Sequence, residues 1–478
     1  MFKLQPPTWA TRASFHRPTP ASHALFAGET GQLRSVSPEK HGGCAASFAR
    51  VFALCADRPC IGRRAAGAHE PFEWCSYSAF ALDVQSVAAG LVRQLPAGAR
   101  VGICAASSYE WIVTDFACLF AGMTSVSLSD SWDSATLRAV GQQRQLNAIA
   151  CDLASAPRCL EAARSIAEPR AVVVLQPIPR ARPLRPVEEV TLLHFVDLLC
   201  EPPLPAPVTR DPSAIHTIMH TSGTTGLPKG VENSDSLWLK NMAHFPSELC
   251  VAASYQPLAF ITDRHTVATT LWNGGRVGLV AYQSSTPKME SIIADLQEIR
   301  PTVLKGVPKF WQEIQVAARM QHDVGLDVLG GRTHTLICGA GALNSSVAAW
   351  YESLTILGKT LVFIVGYGST EVGNLAMNRR MLPHVEWKLL PREGFDVSQG
   401  TGELAVKTGE MMFSGYDKNA AGTASAFTED GFYKMGDIVQ ITQPEGGVRA
   451  DASFALPQKG IAVTVDVLGR AGSSIKLS

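Results

Sequence analysis

From Ser76 onward the apolar positions Phe80, Val84, Val87, Ala88 and Leu91 recur three or four residues apart, and Pro96-Ala-Gly98 ends the run. That spacing predicts an amphipathic helix with its apolar stripe on a core, stopped by residues that cannot continue it. Residues 101–105 then read as a short buried strand, 109–121 as a second helix, and 124–128 and 148–151 as further strands. Strands alternating with helices need crossover connections. The pattern therefore predicts a mostly parallel sheet covered on both faces, with ligands expected beyond the carboxyl ends of its strands.

Residues 177–212 are rich in proline and lack periodicity, which predicts a surface traverse between two lobes. A second α/β run follows, with strands at 214–220, 333–338 and 360–365 and helices at 289–299 and 310–320. After about Gly402 the texture changes. Segments such as Glu403-Leu-Ala-Val-Lys407 and Ile438-Val-Gln-Ile441 predict small β elements. No internal repeat or heptad is present.

Composition narrows the class. An apolar share of 46% supports a substantial core, and a charged share of 18% argues against a disordered chain. Lysine plus arginine equals aspartate plus glutamate at 42 each, so no global field recruits nucleic acid or an anionic membrane. The eleven cysteines contain no CxxC pair and no zinc-ligand spacing, which predicts reduced thiols in a cytoplasmic compartment. The charge-free stretch between Asp115 and Asp130 is shorter than the roughly 20 residues that cross a bilayer, so no transmembrane helix is expected. Residues 1–28 carry Lys3, Arg12 and Arg17 and no acid, a pattern that fits an organelle transit peptide and an untethered terminus alike. Organelle import and peripheral membrane contact stay open.

The chemistry enters at Thr221-Ser-Gly-Thr-Thr-Gly-Leu-Pro-Lys229, where a predicted strand runs into a loop of Gly, Ser and Thr. Gly223 and Gly226 let the backbone approach a polyanion, hydroxyls and amides donate to phosphate oxygens, and Lys229 adds a mobile positive charge. The Walker pattern needs a lysine directly after its glycine and before Ser or Thr. Here Lys229 follows Pro228 and precedes Gly230, which makes an ordinary P-loop NTPase a poor match.

The string from Thr221 to Gly230 resembles the signature of the adenylate-forming superfamily, which includes acyl-CoA synthetases, the adenylation domains of carboxylic acid reductases and peptide synthetases, and luciferases. Other motifs of that family follow in order. Gly339-Ala-Gly-Ala-Leu343 resembles its adenine-side loop, and Gly366-Tyr-Gly-Ser-Thr-Glu371 its next signature. Pro257-Leu-Ala-Phe-Ile-Thr-Asp-Arg264, Gly306-Val-Pro-Lys-Phe-Trp311, Leu271-Trp-Asn-Gly-Gly275 and Val385-Glu-Trp-Lys-Leu389 are similar to segments of long-chain synthetases and reductase adenylation domains. Thr401-Gly-Glu-Leu404, Gly415-Tyr416 and Tyr433-Lys-Met-Gly-Asp437 match the barrel region, and residues 468–478 are similar to the hinge segment.

The resemblance implies an α/β fold: a large adenylation domain of two α/β subdomains, at 29–212 and 213–400, a small β-barrel-like subdomain at 401–467, and a hinge segment at 468–478 after a leader at 1–28. It implies activation of a carboxylic acid by ATP and magnesium to an acyl-adenylate, followed by transfer to CoA or a phosphopantetheine carrier. A medium- or long-chain fatty acid is the expected substrate. Thr221, Ser222, Gly223, Thr224, Thr225, Gly226 and Lys229 would hold the β- and γ-phosphates; Gly339, Ala340, Gly341, Tyr367 and Gly368 would hold adenine. Thr370 would contact the α-phosphate, Asp437 both ribose hydroxyls, Arg470 ribose or phosphate, and Glu371 the magnesium ion. Thr221, Lys229 and Glu371 are the expected catalytic residues.

The chain also departs from the family. Phe260 stands where many relatives carry His, Met435 where Thr is expected and Gly472 where the hinge Asp is expected, while 445–462 reads as an insertion. Relatives continue past the hinge into a mobile C-terminal domain that supplies a lysine. This chain stops at Ser478, and Lys476 belongs to the hinge motif. That domain is therefore expected to be absent. Three readings follow: a shortened acyl-CoA synthetase, favoured by the intact loop and Glu371; an adenylation module working with a carrier, reductase or separate partner; and a degenerate binder of ATP or acyl groups.

Overall fold

The protein's computed structural model describes residues 43–64, 70–179, 183–185, 187–221, 226–243, 250–281, 288–320, 327–341, 343–356, 359–443, 458–459 and 463–471. The expected leader, the loop residues Ser222 to Thr225, most of the expected insertion, Gly472 and Lys476 lie outside them. The chain divides into two compact units, Met1–Leu304 with Leu326–Thr333, and Lys305–Gly325 with His334–Ser478.

In the first unit the amphipathic pattern after Ser76 becomes helix Tyr77–Gln94. The Ser76 hydroxyl caps it by accepting the Ala79 amide at 3.2 Å, and Leu95, extended before Pro96, ends it. Helix Tyr109–Phe120 is capped the same way by Ser108, and every one of its residues is buried. These helices pack on a seven-stranded sheet in the order Thr191–His194, Ala171–Val174, Ala148–Cys151, Arg100–Cys104, Thr124–Ser127, Ile215–Thr221, Lys229–Ser234. All pairings are parallel except the last, an antiparallel hairpin.

Two features of this sheet differ from the sequence pattern. The proline-rich stretch contributes strand Thr191–His194 and the short helix Phe195–Leu199, which four residues of weak periodicity do not announce. Strand Ile215–Thr221, which the sequence reads as opening the second α/β run, is hydrogen-bonded beside Thr124–Ser127 in the first. Buried hydroxyls join the two: Thr124 Oγ1 donates to the Ile215 carbonyl at 2.7 Å, and Thr217 Oγ1 to that of Ser125 at 3.0 Å.

A second sheet in this unit runs Phe72–Ser76, Pro59–Arg64, Arg276–Leu279, Val251–Ser254, with Ala252 paired to Val303. Helices fill the space around an aromatic cluster in which Phe48 meets Phe116 edge-on at 4.9 Å and Trp272 at 5.3 Å. Trp272 is thus a core residue. Phe260, whose size alone suits a core, is 52% exposed at the N-terminal end of helix Ile261–Trp272. From that helix Arg264, 3% exposed, grips both Asp115 oxygens, Nε to Oδ2 at 2.9 Å and Nη2 to Oδ1, and Nη2 also donates to Ser125 Oγ at 2.6 Å. Its guanidinium lies 5.4 Å from the Trp111 ring and 5.8 Å from Trp238.

The second unit begins as α/β and becomes β-rich. Strands Thr335–Cys338 and Val362–Ser369 are parallel; Gly373–Met377, Arg380–Met381, Thr464–Arg470, Tyr433–Thr442, Thr401–Lys407, Glu386–Leu390 and Gln458–Lys459 then follow as antiparallel neighbours. Tyr351, buried with Trp311 and Phe363, donates its hydroxyl to the Trp311 carbonyl at 2.7 Å. Among the described residues no helix is long and apolar enough to cross a membrane.

Two outcomes test this core. Arg264→Met leaves the Asp115 charge buried without its partner and is expected to cost about 3–5 kcal/mol of stability, read from the denaturant midpoint; a loss below about 1 kcal/mol would show that the pair does not hold the helices together. Burial pushes the Asp235 carboxyl up to about 6, against the pull of Arg210 and the Cys44 amide. Its Oδ1 lies 3.8 Å from Arg210 Nε and 3.7 Å from the His216 ring, which burial keeps neutral. Between its ordinary value of 3.8 and about 6, Asp235 holds more proton in the folded chain than in the unfolded one, so its contribution to stability falls as pH rises through that window. Asp235→Asn is expected to flatten this fall in urea unfolding from pH 4 to 8, and an unchanged slope would contradict it.

Candidate active site

Thr221 and Lys229 face each other as register partners across the hairpin, at the carboxyl end of strand Ile215–Thr221. Gly226 lies in the left-handed region, φ 109°. The hairpin is braced from behind. Arg144, 1% exposed at the end of helix Ser134–Gln143, donates Nη2 to the Pro228 carbonyl at 3.1 Å and Nε to His220 Nε2 at 3.4 Å. His220 Nδ1 in turn lies 2.7 Å from the Ser127 carbonyl, and Trp132 packs edge-on to its ring at 5.1 Å. The residues immediately before Thr221 and Lys229 are therefore tied to one buried guanidinium. Gly230 is required by this approach: a Cβ there would stand 2.9 Å from Arg144 Cζ and 2.8 Å from Ile218 Cγ2.

In the second unit, Gly339-Ala340-Gly341 leaves the carboxyl end of Thr335–Cys338, and Thr370-Glu371 leaves that of its parallel neighbour Val362–Ser369. Loops at the carboxyl ends of adjacent parallel strands are the ordinary place for a ligand. Ala340 holds φ at 62°, a strained value for a residue with a Cβ, and the Gly339 amide donates to the Gly306 carbonyl at 3.1 Å. Gly368 has no room for a side chain, since a Cβ would lie 2.1 Å from the Gly373 carbonyl oxygen.

Asp437 and Arg470 are cross-strand partners. Asp437 Oδ2 accepts the Tyr367 hydroxyl at 2.9 Å, Oδ1 lies 3.1 Å from Arg470 Nε, and Arg470 Nη1 donates to the Met435 carbonyl at 3.0 Å. Burial raises the Tyr367 phenol, reinforced by the Asp437 charge, and burial raises Asp437 as well. The Arg470 side chain is 69% exposed, so its attraction for Asp437 is screened by water. This arrangement presents a carboxylate with two acceptor oxygens beside an aromatic face, which suits a ribose diol next to a base.

Glu371 is 6% exposed. Its Oε1 accepts the Tyr416 hydroxyl at 2.9 Å, the Tyr433 hydroxyl lies 3.1 Å from that of Tyr416, and its backbone carbonyl accepts the Phe413 amide at 2.8 Å. Among the described residues no group of three or more His, Cys, Asp or Glu side chains is placed to hold a metal ion. A single hard carboxylate oxygen fits magnesium, which commonly combines one or two carboxylates with substrate phosphates.

The family model described as AMP-binding enzyme matches residues 51–417. The chain belongs to the AMP-binding enzyme family. Its sequence is similar to the carboxylic acid reductase of Mycobacterium tuberculosis, 27% identical over 83% of this chain and 38% of that protein. It is also similar to the peroxisomal long chain acyl-CoA synthetase 6 of Arabidopsis thaliana, 25% identical over 77% of this chain and 60% of the relative. The chain thus spans less than two thirds of the length of these relatives. Among solved structures, the A-PCP didomain of the Segniliparus rugosus carboxylic acid reductase, in complex with AMP, matches with a TM-score of 0.77 at 20% identity, over 95% of this chain and 68% of that one. That likeness establishes the fold.

For this AMP-binding enzyme the motif residues Gly339, Ala340, Gly341, Tyr367, Gly368, Thr370, Glu371, Asp437 and Arg470 fall in the second unit, and Thr221, Gly226 and Lys229 in the first. Sequence reading missed Arg144, which stands 76 positions from the His220 it contacts and has no local motif. It quoted Tyr416 and Tyr433 as parts of motifs without assigning them work. Gly230→Ala is expected to cost about 1–3 kcal/mol by overpacking Arg144 and to weaken magnesium-ATP binding about tenfold, measured by thermal-shift titration. Unchanged affinity would show that the brace does not shape the hairpin.

Proposed function

We propose that this chain activates a carboxylic acid as its acyl-adenylate, using magnesium-ATP and releasing pyrophosphate. The observation that carries the reading is the combination, within one matched family, of the Thr221–Lys229 hairpin with Asp437 and Glu371, two carboxylates each met by a tyrosine hydroxyl. Lys229 and Thr221 bind the β- and γ-phosphates together with Ser222, Gly223, Thr224, Thr225 and Gly226. Tyr367 stacks on adenine with Gly339, Ala340, Gly341 and Gly368 around it, Asp437 accepts the ribose hydroxyls, Arg470 supports it, and Thr370 meets the α-phosphate. Glu371 offers an oxygen to magnesium, which when bound supplies neutralisation of phosphate charge.

Catalysis then consists of holding the carboxylate oxygen in line with the α-phosphorus and stabilising the charge that builds on the phosphates; no covalent enzyme intermediate is needed. The relative named as carboxylic acid reductase supports a carboxylic acid as substrate, and the one named as long chain acyl-CoA synthetase supports a long chain within the medium- or long-chain fatty acids read from the sequence. The relative named as long chain acyl-CoA synthetase supports CoA as acceptor of the acyl group, with a phosphopantetheine carrier as the second reading.

Fatty-acid-dependent exchange of pyrophosphate into ATP is the expected activity. Lys229→Ala and Glu371→Gln are each expected to lower it by about 10²–10³, the usual cost of removing one group that stabilises transition-state charge. ATP that raises the melting temperature while exchange stays at background would replace adenylation with a binding role. GTP hydrolysis without any acid would point to an ordinary NTPase.

A further inference from the structure

We propose that Tyr416 is a positioning residue for the Glu371 carboxylate, presenting one of its oxygens to the divalent cation; this rests on the metal role given to Glu371 above. The segment carrying Tyr416 holds Glu371 at both ends. The Phe413 amide donates to the Glu371 carbonyl at 2.8 Å, and the Tyr416 hydroxyl donates to Oε1 at 2.9 Å. A glutamate side chain has three rotatable bonds and loses this freedom on binding a cation unless it is already fixed.

Tyr416 is itself secured. Its amide donates to Thr423 Oγ1 at 2.9 Å, and Phe413 packs edge-on against its ring at 5.0 Å. The Tyr433 hydroxyl lies 3.1 Å from its own and also reaches the Glu371 carboxylate, so the two phenols share in holding it. A neutral donor orients Oε1 without cancelling the charge that a cation needs. A lysine or arginine in that place would compete with the metal, and a phenol does not. Outer groups that orient a ligand commonly change metal affinity by about 10–100-fold when removed.

The test uses Mn²⁺ as a probe for magnesium, with free and ATP-bound Mn²⁺ distinguished by electron paramagnetic resonance in the presence of the whole chain. Tyr416→Phe is expected to raise the Mn²⁺ dissociation constant in the ATP complex about tenfold, with ATP affinity measured without metal unchanged. Tyr433→Phe, which keeps the Tyr416 donor and removes the second phenol that reaches Glu371, is expected to give a smaller rise and serves as the second variant where Tyr416→Phe does not fold. A dissociation constant within about twofold of the parent chain in the folded variant overturns the assignment, even where the melting temperature falls, since that outcome is purely structural packing. The adenylation reading fails separately: background exchange in the parent chain, with Mn²⁺ affinity still dependent on Tyr416, sinks adenylation and leaves the positioning role standing.

Discussion

A charged group taken out of water must find its hydrogen bonds inside the protein, and that requirement organises both units. Arg144, Arg264, Glu371 and Asp437 are all almost sealed from solvent. Each is held by named partners, although Arg264 Nη1 finds none among the described residues, because an unmet buried charge costs several kcal/mol. Arg264 answers the demand with Asp115 and a serine hydroxyl and so welds two helices to a strand. Arg144 answers it with a histidine and a backbone carbonyl, and in doing so it sets the hairpin that pairs Thr221 with Lys229.

The two carboxylates of the second unit meet the same demand with phenols. Tyr367 donates to Asp437 and Tyr416 to Glu371. Neutral donors leave the negative charge available, where a guanidinium held close in a dry site would consume it. Arg470 approaches Asp437 from the solvent side, where screening weakens it. The unit therefore keeps two acidic groups oriented by phenols, Glu371 just past the end of Val362–Ser369 and Asp437 within strand Tyr433–Thr442, an arrangement suited to a hard cation and a ribose diol.

Legibility from sequence followed the range of the interaction. The helix after Ser76 and the strand at 148–151 are set by local periodicity and caps, and their expected bounds agree with the structure to within a residue or so. The order of the motifs pointed to the family, which the match over residues 51–417 shows. Strand Thr191–His194 was hidden because a four-residue strand inside proline-rich chain carries too little pattern; only its parallel pairing with Ala171–Val174 makes it a strand. Phe260 illustrates the converse, a residue of core character that the start of a helix holds in the open.

What the sequence determined by itself was the chemistry on offer: a Gly-Ser-Thr loop with one lysine, a Tyr-Gly-Ser-Thr-Glu string, an aspartate before the hinge, and an alternation that demands a parallel sheet. Tertiary structure alone decided who supports these groups. Gly230 belongs to a signature string, yet the reason it must be glycine is a guanidinium from a helix far away in the chain. Glu371 ends one motif and Tyr416 lies in another, and only the folding of the β-rich unit brings hydroxyl to carboxylate. Periodicity and motif order are properties of neighbours along the chain; hydrogen bonds that fix a buried charge join residues distant in sequence, and no local pattern encodes them.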